Sequence, residues 1–330
     1  MELEQAMRRA VELSRAVLGT TSPNPPVGAV VLDAAGLVVG EGATQPPGGR
    51  HAEVVALQQA GDRAHTAVVT LEPCHHTGRT GPCTQALLEA GIRRVVVACA
   101  EPTALARGGA DALRTSGVDV VTGVLEAEVA AGPLAAWLHR QRTGRPLVTW
   151  KYAATLDGRS AAADGTSRWV TGESARADVH RLRAESDAVL VGVGTVLADD
   201  PQLTVRPDPG HQPLRVVLDR DGRTPDAARV RDGSAATWIA TGDPAAVLKE
   251  LADRDVVSVL LEGGPTLAAA FLREGLVDRV VGYVAPALLG AGSAAVGDLG
   301  IGTITDAVRL HLTDVTRLGD DVRLTMTRET

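Results

Sequence analysis

Apolar positions in the first half of the chain fall into short runs separated by segments of helical spacing. Met7, Ala10, Leu13 and Val17 recur at the interval of one buried helix face. Apolar runs at 27–33 and 37–40 follow, joined by Asp33-Ala34-Ala35-Gly36, and this spacing predicts a hairpin. A helix is expected over 51–60, stopped by Gly61. A strand is then expected over 67–71, a Gly/Pro/His loop, and a helix over 84–90 closed by Gly91. Strand 95–98, helix 111–116 and strand 118–122 complete the set. Strands alternating with helices imply a sheet covered by helices.

The stretch His139-Arg140-Gln141-Arg142-Thr143-Gly144-Arg145-Pro146 interrupts this rhythm with three arginines, Gly and Pro, and reads as the boundary between a domain at 1–146 and a second at 147–330. Beyond it, strands are expected over 147–152, 188–193, 214–218, 237–240, 256–261, 280–284 and near 322–326. The run Val280–Gly297 is the longest without a charge; Pro286 and four glycines suit it to a strand and loop, not to a membrane span.

Composition narrows the picture. Seven aromatic residues in 330 leave a core built of Val, Leu, Ala and Ile. A net charge of −7 argues against attachment to nucleic acid by bulk electrostatics, while a basic pocket for one small phosphate stays compatible with it. Charges at Glu2, Glu4, Arg8, Arg9, Glu12 and Arg15 are inconsistent with a secretory leader in this segment. Three cysteines cannot build a disulfide framework, so the expected location is the cytoplasm.

Those cysteines instead suggest a metal. His51-Ala52-Glu53 opens a helix, Pro73-Cys74 follows a strand, and Cys83 begins the next helix nine residues on. One imidazole and two thiolates match a zinc site of three protein ligands with a place left for water, whose pKa such an ion lowers from about 16 to about 7. Helix starts favour the thiolate form. Glu53, two residues from His51, is the candidate catalytic acid–base. The competing reading is a closed structural site with His75 or His76 as fourth ligand, which gives Glu53 no task. Cys99, ending an apolar strand, reads as a core thiol.

In the second half, Gly192-Val193-Gly194-Thr195 lacks the third glycine of a Rossmann turn. Another phosphate device is present: strand 256–261 runs into Glu262-Gly263-Gly264-Pro265-Thr266 and then an apolar helix, whose free N–H groups can hold an anion.

The segments Pro23-Asn24-Pro25-Pro26-Val27-Gly28-Ala29-Val30, His51-Ala52-Glu53, and Glu72-Pro73-Cys74 through Gly78-Arg79-Thr80-Gly81-Pro82-Cys83 resemble the deaminase half of the RibD family of bifunctional riboflavin-biosynthesis proteins. Eight residues separate the cysteines, as in that family, where nucleic-acid and cytidine deaminases usually have two. Lys151 with Leu156-Asp157-Gly158-Arg159, Trp169-Val170-Thr171, the run Val191–Arg206 and Glu262–Leu267 resemble its reductase half. The resemblance covers essentially the whole chain and implies a cytidine-deaminase-like three-layer αβα domain followed by a dihydrofolate-reductase-like α/β domain.

By that resemblance His51, Cys74 and Cys83 hold Zn2+, Glu53 moves protons, and Asn24 and Arg79 contact substrate. Ala153, Trp169, Thr195, Asp199, Gly264, Pro265 and Thr266 bind NADPH, and Ser167, Arg183, Leu203, Arg206 and Glu262 bind the reductase substrate. Arg183 and Arg206 suit a phosphate clamp, and Trp169 suits stacking on a flat ring. The chain departs from the family at Glu101-Pro102-Thr103-Ala104, where Asp-Pro-Asn-Pro is usual, and at Thr44, where a His is common.

The resemblance therefore implies hydrolytic deamination of a phosphoribosylated diaminopyrimidinone followed by NADPH-dependent reduction of ribosyl to ribityl, on a small phosphorylated pyrimidine, in a homo-oligomer assembled through the second domain. Two alternatives stay open. One is a reductase whose altered zinc domain is a scaffold. The other is a nucleic-acid base deaminase, disfavoured by the net charge, the cysteine spacing and the scarcity of aromatics.

Overall fold

The computed structural model describes residues 1–75, 81–207 and 210–328 and divides into two compact units, Met1–Gly144 and Arg145–Thr330. None of the helices described is long and apolar enough to cross a membrane.

The first unit runs α1 (Leu3–Arg15), β1 (Gly28–Leu32), β2 (Val38–Ala43), α2 (Ala52–Ala60), β3 (Thr66–Leu71), α3 (Cys83–Glu89), β4 (Arg94–Cys99), α4 (Gly109–Thr115), β5 (Asp119–Thr122), α5 (Glu126–Ala131) and α6 (Ala135–Thr143). Its five strands are ordered β2-β1-β3-β4-β5. The expected hairpin is there: β1 and β2 are antiparallel, and Asp33 Oδ1 accepts the N–H groups of Ala35 and Leu37 to close the turn. From β3 to β5 the strands are parallel, as connections through helices require. Strands β1 and β3 are buried along their whole length, and helices cover the sheet.

Helix α2 and the sheet meet backbone to backbone. A Cβ on Gly42 of β2 would stand 2.2 Å from the Ala52 carbonyl oxygen, at the start of α2 and next to His51. A Cβ on Gly40 would stand 2.1 Å from that of Ala56. Only hydrogen fits there.

The arginine-rich stretch is not an open linker. Residues 139–143 are the last turns of α6, whose arginines sit on its partly exposed face, and the units divide after Gly144, which ends the helix in the left-handed conformation. On α1 the buried stripe is Ala6, Met7, Ala10, Val11 and Ser14; Leu13 is half-buried and Val17 lies beyond the helix end.

The second unit runs β6 (Leu147–Thr155), α7 (Glu173–Ala184), β7 (Ala188–Gly192), α8 (Val193–Asp199), β8 (Leu214–Leu218), β9 (Thr237–Ala240), α9 (Pro244–Asp253), β10 (Ser258–Leu261), α10 (Pro265–Arg273), β11 (Arg279–Ala285), β12 (Leu310–Leu318) and β13 (Asp321–Arg328). One eight-stranded sheet has the order β12-β13-β11-β6-β10-β7-β8-β9, parallel from β11 to β9 and antiparallel at β13 and β12. Alternate residues feed two cores. Leu190, Val216 and Leu261 point to one with α9 and α10, while Val189, Val191, Val217 and Leu260 point to another with α8. Strand β12 is a largely exposed edge, bulged between Leu312 and Asp314.

Replacing Gly42 with Ala is expected to cost about 1–3 kcal/mol by forcing α2 off the sheet. A lowered melting temperature of the first unit checks this.

Candidate metal centre and reductase site

Three elements of the first unit converge on one point. His51 is the N-cap of α2, Cys83 is the first residue of α3, and Cys74 lies three residues past the end of β3. His51 Nδ1 is 3.2 Å from Cys83 Sγ and 3.7 Å from Cys74 Sγ, and the three ligand atoms lie within 4.8 Å of one another. A tetrahedral ion with bonds of about 2.0–2.3 Å places its ligands roughly 3.3–3.8 Å apart. The backbone N–H of Cys83 donates to Cys74 Sγ at 3.3 Å, which locks one ligand against the other.

The protonation of the trio explains why a cation suits it. The hydrogen bond with Cys83, aided by His51, brings the Cys74 thiol down to about 4, while that same bond, together with burial, pushes the Cys83 thiol up. His51 is raised, first by its hydrogen bond with Cys74. Without an ion, one thiolate excludes the other; a divalent cation removes that penalty and lets both ionise. The donors therefore fit zinc.

Glu53 is buried at 4% exposure beside this trio. Burial raises its pKa, which is the condition for a group that must both take and return a proton near neutrality. Asn24 stands in the turn before β1, where its N–H donates to Thr21 O and its carbonyl accepts from the Thr21 hydroxyl at 3.1 Å. Thr44, in the place of the family's usual His, is buried; its hydroxyl accepts the Val27 N–H at 3.0 Å, so its role here is to hold the strand start. Arg79 and His76 lie outside the described residues.

In the second unit, the reductase candidates gather beyond the carboxyl ends of the parallel strands. Glu262 follows β10, and Arg183, near the end of α7, grips it with two bonds of 2.6 and 3.0 Å while donating a third to Thr204 O. Arg183 and Glu262 thus form one buried pair, and the guanidinium fork meets a carboxylate where sequence reasoning expected a phosphate clamp. Lys151 Nζ lies 4.0 Å from Glu262. Burial pushes the lysine down, with partial relief from Glu262; burial also pushes Glu262 up, but Arg183 outweighs it and leaves the carboxyl below its usual range.

Lys151 was not among the residues expected to form the site. The signal was available: it is one of two lysines in the chain, placed in the middle of an apolar strand.

The expected cofactor residues occupy neighbouring elements. Gly264 is the N-cap of α10, with Pro265 at its first position; a Cβ on Gly264 would stand 3.8 Å from Thr195 Oγ1 of α8, which puts those two residues side by side. Ala153 is half-buried on β6. Asp199 ends α8, and its carbonyl oxygen accepts from Arg168. Trp169 is 70% exposed with Arg176 stacked 4.6 Å from its ring centre, leaving broad aromatic surface available. Of the remaining substrate candidates, Leu203 is buried at φ +58, Ser167 is half-buried and Arg206 is exposed; Arg206 N–H donates to His180 Nδ1.

A convergent His/Cys/Cys trio with a buried carboxylate, on a sheet of this order, defines a zinc-dependent deaminase unit; the second unit is an α/β reductase domain. Residues 1–99 match the cytidine and deoxycytidylate deaminase zinc-binding region, and residues 146–324 match the RibD C-terminal domain. The chain belongs to the RibD family of riboflavin-biosynthesis enzymes. It is 53% identical to riboflavin biosynthesis protein RibD of Mycobacterium tuberculosis, over 98% of this chain and 97% of that one, and 38% identical to its counterpart in Escherichia coli, over 98% and 99%. A diaminohydroxyphosphoribosylaminopyrimidine deaminase/5-amino-6-(5-phosphoribosylamino)uracil reductase from Thermotoga maritima superimposes with a TM-score of 0.92 at 35% identity, covering 99% of each chain.

Two outcomes check this geometry. Cys83→Ser protein is expected to lose most of its zinc, read by metal analysis of the purified chain. Glu262→Ala, which leaves Arg183 and Lys151 buried without their anion, is expected to cost the second unit about 3–5 kcal/mol in denaturant unfolding.

Proposed function

We propose that residues 1–146 deaminate 2,5-diamino-6-(5-phosphoribosylamino)pyrimidin-4(3H)-one and that residues 147–330 reduce the ribosyl group of the product to ribityl. The observation that carries the first half of this reading is the buried carboxylate of Glu53 against three converged ligands. Relatives matching the full length of the chain, one of them named for both reactions, support the pairing of the two steps.

His51, Cys74 and Cys83 would hold the zinc, whose contribution when bound would be to acidify a water for attack on the ring carbon bearing the 2-amino group. Glu53 accepts a proton from that water and delivers it to the departing nitrogen. Water and an amino-pyrimidine thus become a ring carbonyl and ammonia, with no change in oxidation state. Its burial keeps bulk water from competing for the proton. Asn24 and Arg79 hold the substrate.

In the reductase step NADPH supplies a hydride, and a proton completes the two-electron reduction. Ala153, Trp169, Thr195, Asp199 and Gly264–Thr266 hold the cofactor. Pro265 has no N–H, so the donors offered at the start of α10 are the N–H and hydroxyl of Thr266 with the N–H of Leu267. Ser167, Arg183, Leu203, Arg206 and Glu262 hold the substrate, with Arg206 exposed and free of a carboxylate among the described residues for its phosphate. The enzyme works in the cytoplasm as a homo-oligomer joined through the second unit.

Glu53→Gln protein is expected to lose ammonia release by at least about 100-fold. Its NADPH oxidation on independently supplied deaminated product stays at the wild-type rate. An unchanged deamination rate refutes the role of Glu53.

A further inference from the structure

Between β11 and β12 the chain runs through a glycine-rich segment, uncharged as far as Gly297, that the cofactor and substrate assignments leave without a task. It is not a loose loop. Near its start the N–H of Leu156 donates to Ala287 O at 2.9 Å. The carboxylate of Asp157 then accepts Leu289 N–H at 3.2 Å and Gly290 N–H at 2.7 Å, and the Thr155 hydroxyl at 2.6 Å.

Further along, Arg159 bridges Ala294 in antiparallel register, and backbone bonds link Ser160 with Ser293, Ser293 with Ala161 and Ala295 with Gly158. Gly292 sits so close to this turn that a Cβ there would stand 2.1 Å from Ala161 O.

The far end of the segment runs along α10. Gly297 N–H donates to Pro265 O at 3.1 Å, Val296 packs into the core that contains Ala268 and Phe271, and Arg273 donates to Asp298 O at 2.8 Å. The first and last residues of α10 are therefore both tied to one strap, and the strap is tied to Asp157. The Asp157 carboxyl lies at about 2, first through the Thr155 hydroxyl and then through the strap amides, so it is ionised across the working range.

We propose that Asp157 is a positioning residue of the reductase. Its carboxylate anchors residues 287–298 as a strap, and the strap fixes the amino end of α10 where the phosphate of the dinucleotide cofactor is received. The inference rests on the reading that Gly264–Thr266 bind that cofactor. Asp157 acts through the strap, a short peptide path to Pro265, without touching cofactor or substrate.

The test uses full-length Asp157→Asn and Asp157→Glu proteins. Asparagine keeps the size but turns an N–H group toward two amide donors; glutamate keeps the charge. NADPH affinity by fluorescence titration, KM and kcat for NADPH oxidation, ammonia release, and hydrogen exchange of residues 287–298 are measured on the same preparations.

For Asp157→Asn we expect KM and Kd for NADPH to rise about tenfold, the scale of one lost hydrogen bond to a charged acceptor. The expected kcat is near wild type, ammonia release is unchanged, and protection is lost in 287–298. Asp157→Glu is expected to recover part of the affinity. Lost protection with unchanged NADPH affinity overturns the proposal, as does a fall in kcat alone. Thr266→Ala separates the two layers. If it weakens NADPH binding while Asp157→Asn does not, positioning by Asp157 fails and the cofactor reading stands. If neither variant weakens binding, the cofactor reading falls and the proposal with it.

Discussion

Two thiols and an imidazole held within hydrogen-bonding distance form an electrostatically incomplete arrangement. One sulfur can carry negative charge only while the other keeps its proton, as the opposite displacements of Cys74 and Cys83 show. The fold makes this arrangement unavoidable by planting two of the donors at helix starts and the third just past a strand end. A divalent cation resolves the conflict, and the remaining features of the first unit follow from that need. The carboxylate of Glu53 is buried in the first turn of the short helix that the histidine caps, beside the same centre.

Both units place their chemistry beyond the carboxyl ends of parallel strands. In the first, β3 leads into Glu72-Pro73-Cys74; in the second, β10 leads into Glu262 and β7 into the helix that carries Thr195. Parallel strands end with their loops and helix starts on the same edge, so polar groups and free amides collect there without disturbing the apolar layers. The chemistry differs because one edge gathers soft donors while the other gathers a buried ion pair and a turn open to anions.

Much of this was legible from residue order. The ligand trio depends on residue types that few other tasks require in that sequence, and the strands β1, β3, β7 and β8 are dense enough in Val, Leu and Ala to declare themselves. What stayed hidden depends on partners far apart in the chain. The pairing of Arg183 with Glu262 spans 79 positions, and only the folded sheet makes a carboxylate, not a phosphate, the neighbour of that guanidinium. Strand β12 was missed because it is an edge: exposed along most of its length, it carries His311, Asp314 and Arg317 and lacks the alternation that burial imposes. That residues 139–143 of the expected boundary stretch are helix was hidden, because arginines on a solvated helix face carry no apolar periodicity of their own.

That same edge has a consequence for how the protein behaves in a crowded solution. Leu312 and Val315 are bare, and a nine-residue strand with an open row of amides and carbonyls is a ready template for another strand. The bulge at Leu312–Asp314 spoils the template by throwing the backbone out of register midway, and the Asp314 carboxylate, paired to Arg323, puts charge beside the gap. Growth of the sheet by indefinite addition is blocked at a single misaligned residue, while its apolar side chains remain at the surface.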